Sequence, residues 1–140
     1  DVSFLIFENR ARERTALPLD AVERIESVPL SQIEYAGGRA LLQYRGELLP
    51  LTDDGRVLAE LEQMPGSDVL ATVLICGKAG GSGRSRSGMV VRQVLDVSTG
   101  AVLDEKDSVD GIELAMVKER LTMVHPDFGT KAGAAWKEVA

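Results

Sequence analysis

The chain has 140 residues, of which 44% are hydrophobic and 27% charged, a balance that supports one folded domain with a true core and excludes wholesale disorder. A net charge of −6 with only one Trp, two Tyr and three Phe removes both supports of nucleic-acid binding, phosphate attraction and base stacking. A single cysteine, no apolar run long enough to span a membrane and no signal segment point to the cytoplasm, without direct membrane insertion; the start at Asp1 instead of Met reads as a trimmed chain or a piece of a longer protein.

Ser3-Phe4-Leu5-Ile6-Phe7 is a run of β-formers ending in the polar Glu8-Asn9-Arg10, which predicts a strand and a turn. A second strand is expected from Arg14 to Leu19, with Pro18 at its end because proline donates no ladder hydrogen bond. Asp20 stands where a helix N-cap would, followed by one helical turn at Ala21-Val22 and an extended stretch from Arg24 to Val28 that Pro29 closes. Gly37-Gly38 introduces the plainest hairpin, Ala40–Tyr44 against Glu47–Leu51 about Arg45-Gly46. Between Asp53 and Met64 the apolar residues Val57, Leu58, Leu61 and Met64 take helical spacing behind Asp53-Asp54, a short helix or irregular connector that Pro65-Gly66 stops.

Val69 to Cys76 is almost continuously apolar, too short for a typical helix, and reads as a central strand buried on both faces. Gly77 to Gly88 holds five glycines and three serines and is expected to be a mobile loop. Strands resume at Met89–Val91 and Val94–Val97, ending at Ser98-Thr99-Gly100, and a last hairpin joins Ile112–Val117 to Leu121–Val124 across Lys118-Glu119-Arg120. Lys131 to Val139 is expected to form a terminal helix. Many short strands without alternating long helices predict an all-β barrel or sandwich.

No constellation of residues supports catalysis. The Gly-rich stretch lacks the G-x-x-x-x-G-K-[ST] order of a phosphate loop and leads into a valine-rich strand, so a flexible loop outweighs a ligand- or nucleotide-binding barrel that would use Gly77–Gly88. His125, the only histidine, excludes a multi-histidine metal cluster and reads as a partly exposed loop residue before Pro126. Cys76 sits in an apolar run with no cation to lower its pKa and reads as core. Asp104, Glu105, Asp107 and Asp110 do not follow a calcium-loop order, and no metal or cofactor is expected. What remains is surface: Arg24, Glu26 and Val28 on one strand face, Gln43 and Arg45 on another.

Two blocks carry a family resemblance. Ala16-Leu17-Pro18-Leu19-Asp20-Ala21-Val22-Glu23-Arg24-Ile25-Glu26, with Ile33-Glu34-Tyr35-Ala36-Gly37-Gly38-Arg39 after it, looks like the opening of a CheW-like domain. Gln43-Tyr44-Arg45-Gly46-Glu47-Leu48-Leu49-Pro50-Leu51 resembles the form such domains take as the carboxy-terminal regulatory part of the chemotaxis histidine kinase CheA; free CheW proteins more often carry Asn-Leu at Gln43-Tyr44. Gly88 to Val97 resembles the family's second-lobe strand, except that Arg92 stands where an aspartate is usual, and Lys118-Glu119-Arg120 replaces a glycine-containing turn. The likeness is strongest from Phe4 to Leu51. It implies two five-stranded SH3-like barrel lobes side by side with short helices, in a single domain over 1–140, their boundary near 65–88 and a terminal segment returning to the first lobe. It further implies a non-catalytic scaffold at receptor arrays on the inner face of the membrane, bound to a chemoreceptor cytoplasmic tip and to CheA or CheW domains. Arg24 and Arg45 match positions of partner contact, with Val28 and Gln43 as neighbours.

Overall fold

A computed structural model describes residues 1–9, 12–53, 56–77 and 86–126. The expected terminal helix and most of the Gly/Ser-rich loop lie outside these residues. The described residues form eleven strands, one short helix and three single 3-10 turns. The strands are β1 (Val2–Glu8), β2 (Arg14–Pro18), β3 (Val22–Pro29), β4 (Ile33–Ala36), β5 (Arg39–Tyr44), β6 (Glu47–Thr52), β7 (Leu70–Cys76), β8 (Ser87–Val91), β9 (Gln93–Val102), β10 (Leu114–Val117) and β11 (Arg120–Val124); α1 spans Val57–Glu62.

Five strands close a barrel in the order β1-β2-β11-β10-β9, and six form a second sheet in the order β3-β7-β8-β6-β5-β4. Each contains one parallel pair, β2 with β11 and β6 with β8, among antiparallel neighbours. The architecture is the expected all-β class with one closed five-stranded barrel; where a second five-stranded barrel was anticipated there is a six-stranded sheet whose end strands β3 and β4 are not paired with each other. The chain passes from barrel to second sheet through the turn Leu19–Ala21 and returns at Arg92, so β7 and the start of β8, which lie in the segment 65–88 anticipated as a lobe boundary, belong to the second sheet. The reason is pairing: β7 and β8 have no partners in the barrel, whereas β9 aligns with β1.

Three apolar clusters hold this arrangement. Phe4, Ile6, Ala16, Ala115, Val117 and Val124 fill the barrel. Val28, Ile33, Leu42, Leu49, Val73 and Ile75 are among those filling the second sheet. Leu5, Phe7 and Leu17 from the barrel meet Leu74, Cys76, Met89 and Val91 from the sheet. Alternation explains the division: β1 sends Phe4 and Ile6 inward and Leu5 and Phe7 toward the sheet, while β7 does the same with Val73 and Ile75 against Leu74 and Cys76. A continuous apolar run is therefore what both strands need. Truncating one such junction residue, Leu74 for example, removes contacts worth about 3 kcal/mol.

Local chemistry places the connections. Asp53 carboxylate oxygens accept the N–H groups of Val57 at 2.7 Å and Leu58 at 3.0 Å, which starts α1. Asp20 makes no side-chain cap; its 3-10 turn follows Pro18 instead. Strand β9 continues through Gly100 to Val102, past the Ser98-Thr99-Gly100 stop expected from composition. Gly100 is required there because a Cβ would lie 2.7 Å from the Met116 carbonyl oxygen on β10. His125 is 5% exposed, not partly exposed, since its N–H donates to the Ala16 carbonyl at 3.0 Å and prolongs the β11–β2 pairing.

Candidate functional site

Of the positions singled out in the sequence, Arg24 and Arg45 fall at one end of the second sheet, where β3, the β5–β6 turn and the start of β8 meet. A register shift between Val22 and Arg24 leaves Glu23 as an extra residue in β3. Beyond it Arg24, Glu26 and Val28 share one face with their register partners Ile75, Val73 and Ala71 of β7. That face runs from core to rim. Val28 is 5% exposed and belongs to the core, so it supports the surface from beneath and is not part of it. Glu26 is half-buried, and Arg24 is exposed.

Tyr44 joins the two sides of this end: its hydroxyl donates to Glu26 Oε2 at 2.6 Å, linking β5 to β3. Burial, reinforced by that bond to a carboxylate, pushes the phenol above its ordinary pKa, so it stays a neutral donor. The next residue, Arg45, has φ +49° and Gly46 has φ +80°, giving the two left-handed central residues of a tight hairpin turn. This turn brings the Arg45 guanidinium over the Tyr44 ring, 5.3 Å from its centroid. Arg24, Tyr44 and Arg45 thus line one depression with Ile75 at its floor. Among the described residues, no carboxylate lies within ion-pair distance of Arg24 or Arg45.

The opposite wall is internally paired, one guanidinium against two carboxylates, and keeps one excess negative charge. Arg86 donates from Nε to Glu23 Oε1 at 2.7 Å and from Nη1 to Glu47 Oε2, tying the start of β8 to β3 and β6. Those carboxylates, Glu23 first, raise the Arg86 pKa further. Glu23 reaches this position by lying over Gly77, where a Cβ would sit 1.6 Å from Glu23 Oε2. Gly77 is thereby fixed by its neighbour's packing and not by loop mobility; residues 78–85 of that loop lie outside the described residues.

Gln43 goes elsewhere. It alternates to the other face of β5 and donates to Glu34 Oε2 on β4 at 2.7 Å, because Arg45 has left the strand for the turn and no longer shares its face. The structure therefore brings Arg24 and Arg45 together and separates Gln43 and Val28 from them. Sequence reasoning passed over Tyr44 and Arg86, and placed Glu26 on the face of Arg24 without giving it a role. The first was visible in Gln43-Tyr44-Arg45-Gly46 as a motif without a role; Arg86 was hidden in a stretch read as a loop.

A second surface feature borders the junction of the two sheets. Ile25 stands beside Leu74 in the β3–β7 register and Val97 beside Leu5 in the β1–β9 register. Both are about half exposed, so each carries the buried junction cluster out to solvent at a strand neighbour. Cys76 lies within that cluster, its thiol pushed up to about 12 chiefly by burial, which makes it an inert core residue.

No family model and no curated protein matches this sequence. Among solved structures, the scaffolding protein TtCheW from Thermoanaerobacter tengcongensis is similar over 94% of this chain and 90% of that one, with a TM-score of 0.55 and 16% identity. The chain has the CheW-like, all-β fold.

Proposed function

We propose that this CheW-like chain is a non-catalytic coupling module of bacterial chemotaxis, which links chemoreceptors to a histidine kinase through protein–protein contacts. The likeness of fold to a scaffolding protein supports a scaffold role in general. The observation that carries the reading further is the pairing of Arg24 and Arg45 around Tyr44, two guanidinium groups that, among the described residues, have no carboxylate at ion-pair distance, beside an aromatic ring and an apolar floor. Tyrosine and arginine over a buried apolar base is the composition of an interface anchor, since the ring gives contact area at low entropic cost and the charges set register. The turn sequence Gln43-Tyr44-Arg45-Gly46 favours the regulatory domain of a CheA-type kinase over a free coupling protein.

In this reading the Arg24–Arg45 end contacts a CheW or CheA domain or a receptor, and the junction bordered by Ile25 and Val97 offers the apolar floor of an inter-lobe groove for a receptor's helical tip. The module works in the cytoplasm beneath a receptor array; among the described residues, no helix is long and apolar enough to cross a membrane. Its output is docking geometry, not a reaction.

The test is calorimetric titration of the purified chain with a chemoreceptor cytoplasmic tip and, separately, with a CheW protein or CheA regulatory domain. Saturable binding to at least one is expected, weakened about tenfold by Arg45→Glu, or about 1.4 kcal/mol. No binding to either at high micromolar concentration would end the proposal.

A further inference from the structure

The two sheets are joined by two connections and one apolar junction, and these differ in what they can hold. Apolar burial is non-directional, so the junction of Leu5, Phe7 and Leu17 with Leu74, Cys76, Met89 and Val91 resists separation of the sheets more than it resists their rotation. Directional contacts must set the angle. Arg92 supplies them. It is the single residue between β8 and β9, and its backbone N–H donates to the Glu8 carbonyl of β1 at 2.8 Å. Its guanidinium reaches both bodies at once: Nε lies 3.4 Å from Glu8 Oε1 at the end of β1, and Nη1 lies 3.2 Å from Glu60 Oε1 on α1, the helix packed against β7 and β8.

Three features distinguish this from an ordinary surface pair. The side chains are partly sheltered, at 29% exposure for Arg92, 13% for Glu8 and 33% for Glu60, so solvent screens them less than it would exposed ions. The guanidinium is a rigid planar fork, which fixes direction as well as distance. And Glu8 is itself held, accepting Gln93 Nε2 at 3.0 Å. The other ion pairs described above or nearby stay within one body: Arg86 joins β3, β6 and β8 of the second sheet, and Lys118 joins Asp96 within the barrel at 2.7 Å.

We infer that Arg92 is an electrostatic latch between the two sheets, whose simultaneous engagement of Glu8 and Glu60 sets their relative angle. Releasing the latch opens an angular freedom without unfolding either sheet, because neither hydrophobic cluster interior to a sheet contains any of the three residues. The inference does not depend on the identity of any partner.

The experiment is double electron–electron resonance between nitroxides at Ser27→Cys on β3 and Thr99→Cys on β9, both exposed positions on different sheets. Arg92→Gln should raise the population outside the native distance peak about tenfold, and Glu60→Gln should do the same. Arg86→Gln, which removes ion pairs inside one sheet, should leave the distribution unchanged. Superimposable distributions for Arg92→Gln and the parent chain, or an equal response to Arg86→Gln, would overturn the inference. Where Arg92→Gln fails to fold by circular dichroism, the parent chain in NaCl raised from roughly 0.05 to 1 M gives the same reading: broadening is expected, and its absence overturns the latch.

Discussion

Replacing Arg45 by Asn separates a contact role from a turn-stabilising one. Arg45 occupies the left-handed region at φ +49°, and Gly46 follows at +80°. For a residue with a Cβ, the left-handed conformation costs roughly 1–2 kcal/mol, and asparagine tolerates it better than most, so the substitution recovers about 0.5–1 kcal/mol. Against this stands the Arg45–Tyr44 ring contact, which at an exposed site is worth about 0.5 kcal/mol. The two offset, and the stability change should lie within about 0.5 kcal/mol of zero, or within roughly 2 °C in melting temperature. Partner affinity, by contrast, should fall about tenfold, since the guanidinium beside Tyr44 is gone. Urea denaturation with an unchanged slope and calorimetric titration against the same partner read the two quantities separately. A loss of more than about 1 kcal/mol in stability would make Arg45 a staple of the turn. Unchanged affinity at unchanged stability would remove it from the interface.

Three further outcomes follow from the packing and the charges. Gly100→Ala forces a Cβ to within 2.7 Å of the Met116 carbonyl oxygen, a backbone atom of the neighbouring strand that has nowhere to go, so the chain should lose about 2 kcal/mol or more by denaturant titration; a variant as stable as the parent would refute the close approach. The Asp96 carboxyl is held down to about 2, first by the hydrogen bond from Lys118 and then by that from Ser98, so its contribution is complete above the unfolded-chain pKa near about 4 and is lost as pH falls through about 2. The gap in melting temperature between parent and Asp96→Asn should accordingly be widest near neutrality and close toward about pH 2, and a pH-independent gap would count against the pairing. Cys76, buried with its thiol pushed up to about 12, should be alkylated by iodoacetamide only as fast as the chain unfolds; rapid labelling of the native protein would contradict its placement.

How much of this was legible in the sequence depended on whether the cause was local. Strand β7 was readable because a run buried on both faces must be continuously apolar, and Val73 and Leu74 face two different clusters. The β5–β6 hairpin was readable because Gly46 at a left-handed position is a local requirement. Strand β9 was misjudged at Ser98-Thr99-Gly100 because small residues signal a turn locally, while here Gly100 serves a neighbouring strand far along the chain. His125 was misjudged for the same reason: what buries it is a parallel pairing with β2. At the site, Arg24 and Arg45 were singled out through resemblance, but no strand-period argument could distinguish the rim at Arg24 from the core at Val28 on one face. That distinction comes from where the sheet ends.

The order of strands around the barrel has a consequence for how the protein is made. Strands β1 and β2 leave the ribosome first, yet Leu5 pairs with Val97 and Ala16 with Val124, so the barrel cannot close until nearly all the described chain has emerged. A two-stranded hairpin alone is marginal in water, whereas β3 to β8 are contiguous and can assemble their six-stranded sheet first. The early hairpin must wait with Leu5 and Phe7 uncovered while the later sheet forms beside it. Such long-range closure is slow and exposes apolar surface to neighbouring nascent chains, so yield during rapid expression should be limited by the opening residues of the chain and not by the sheet that bears Arg45.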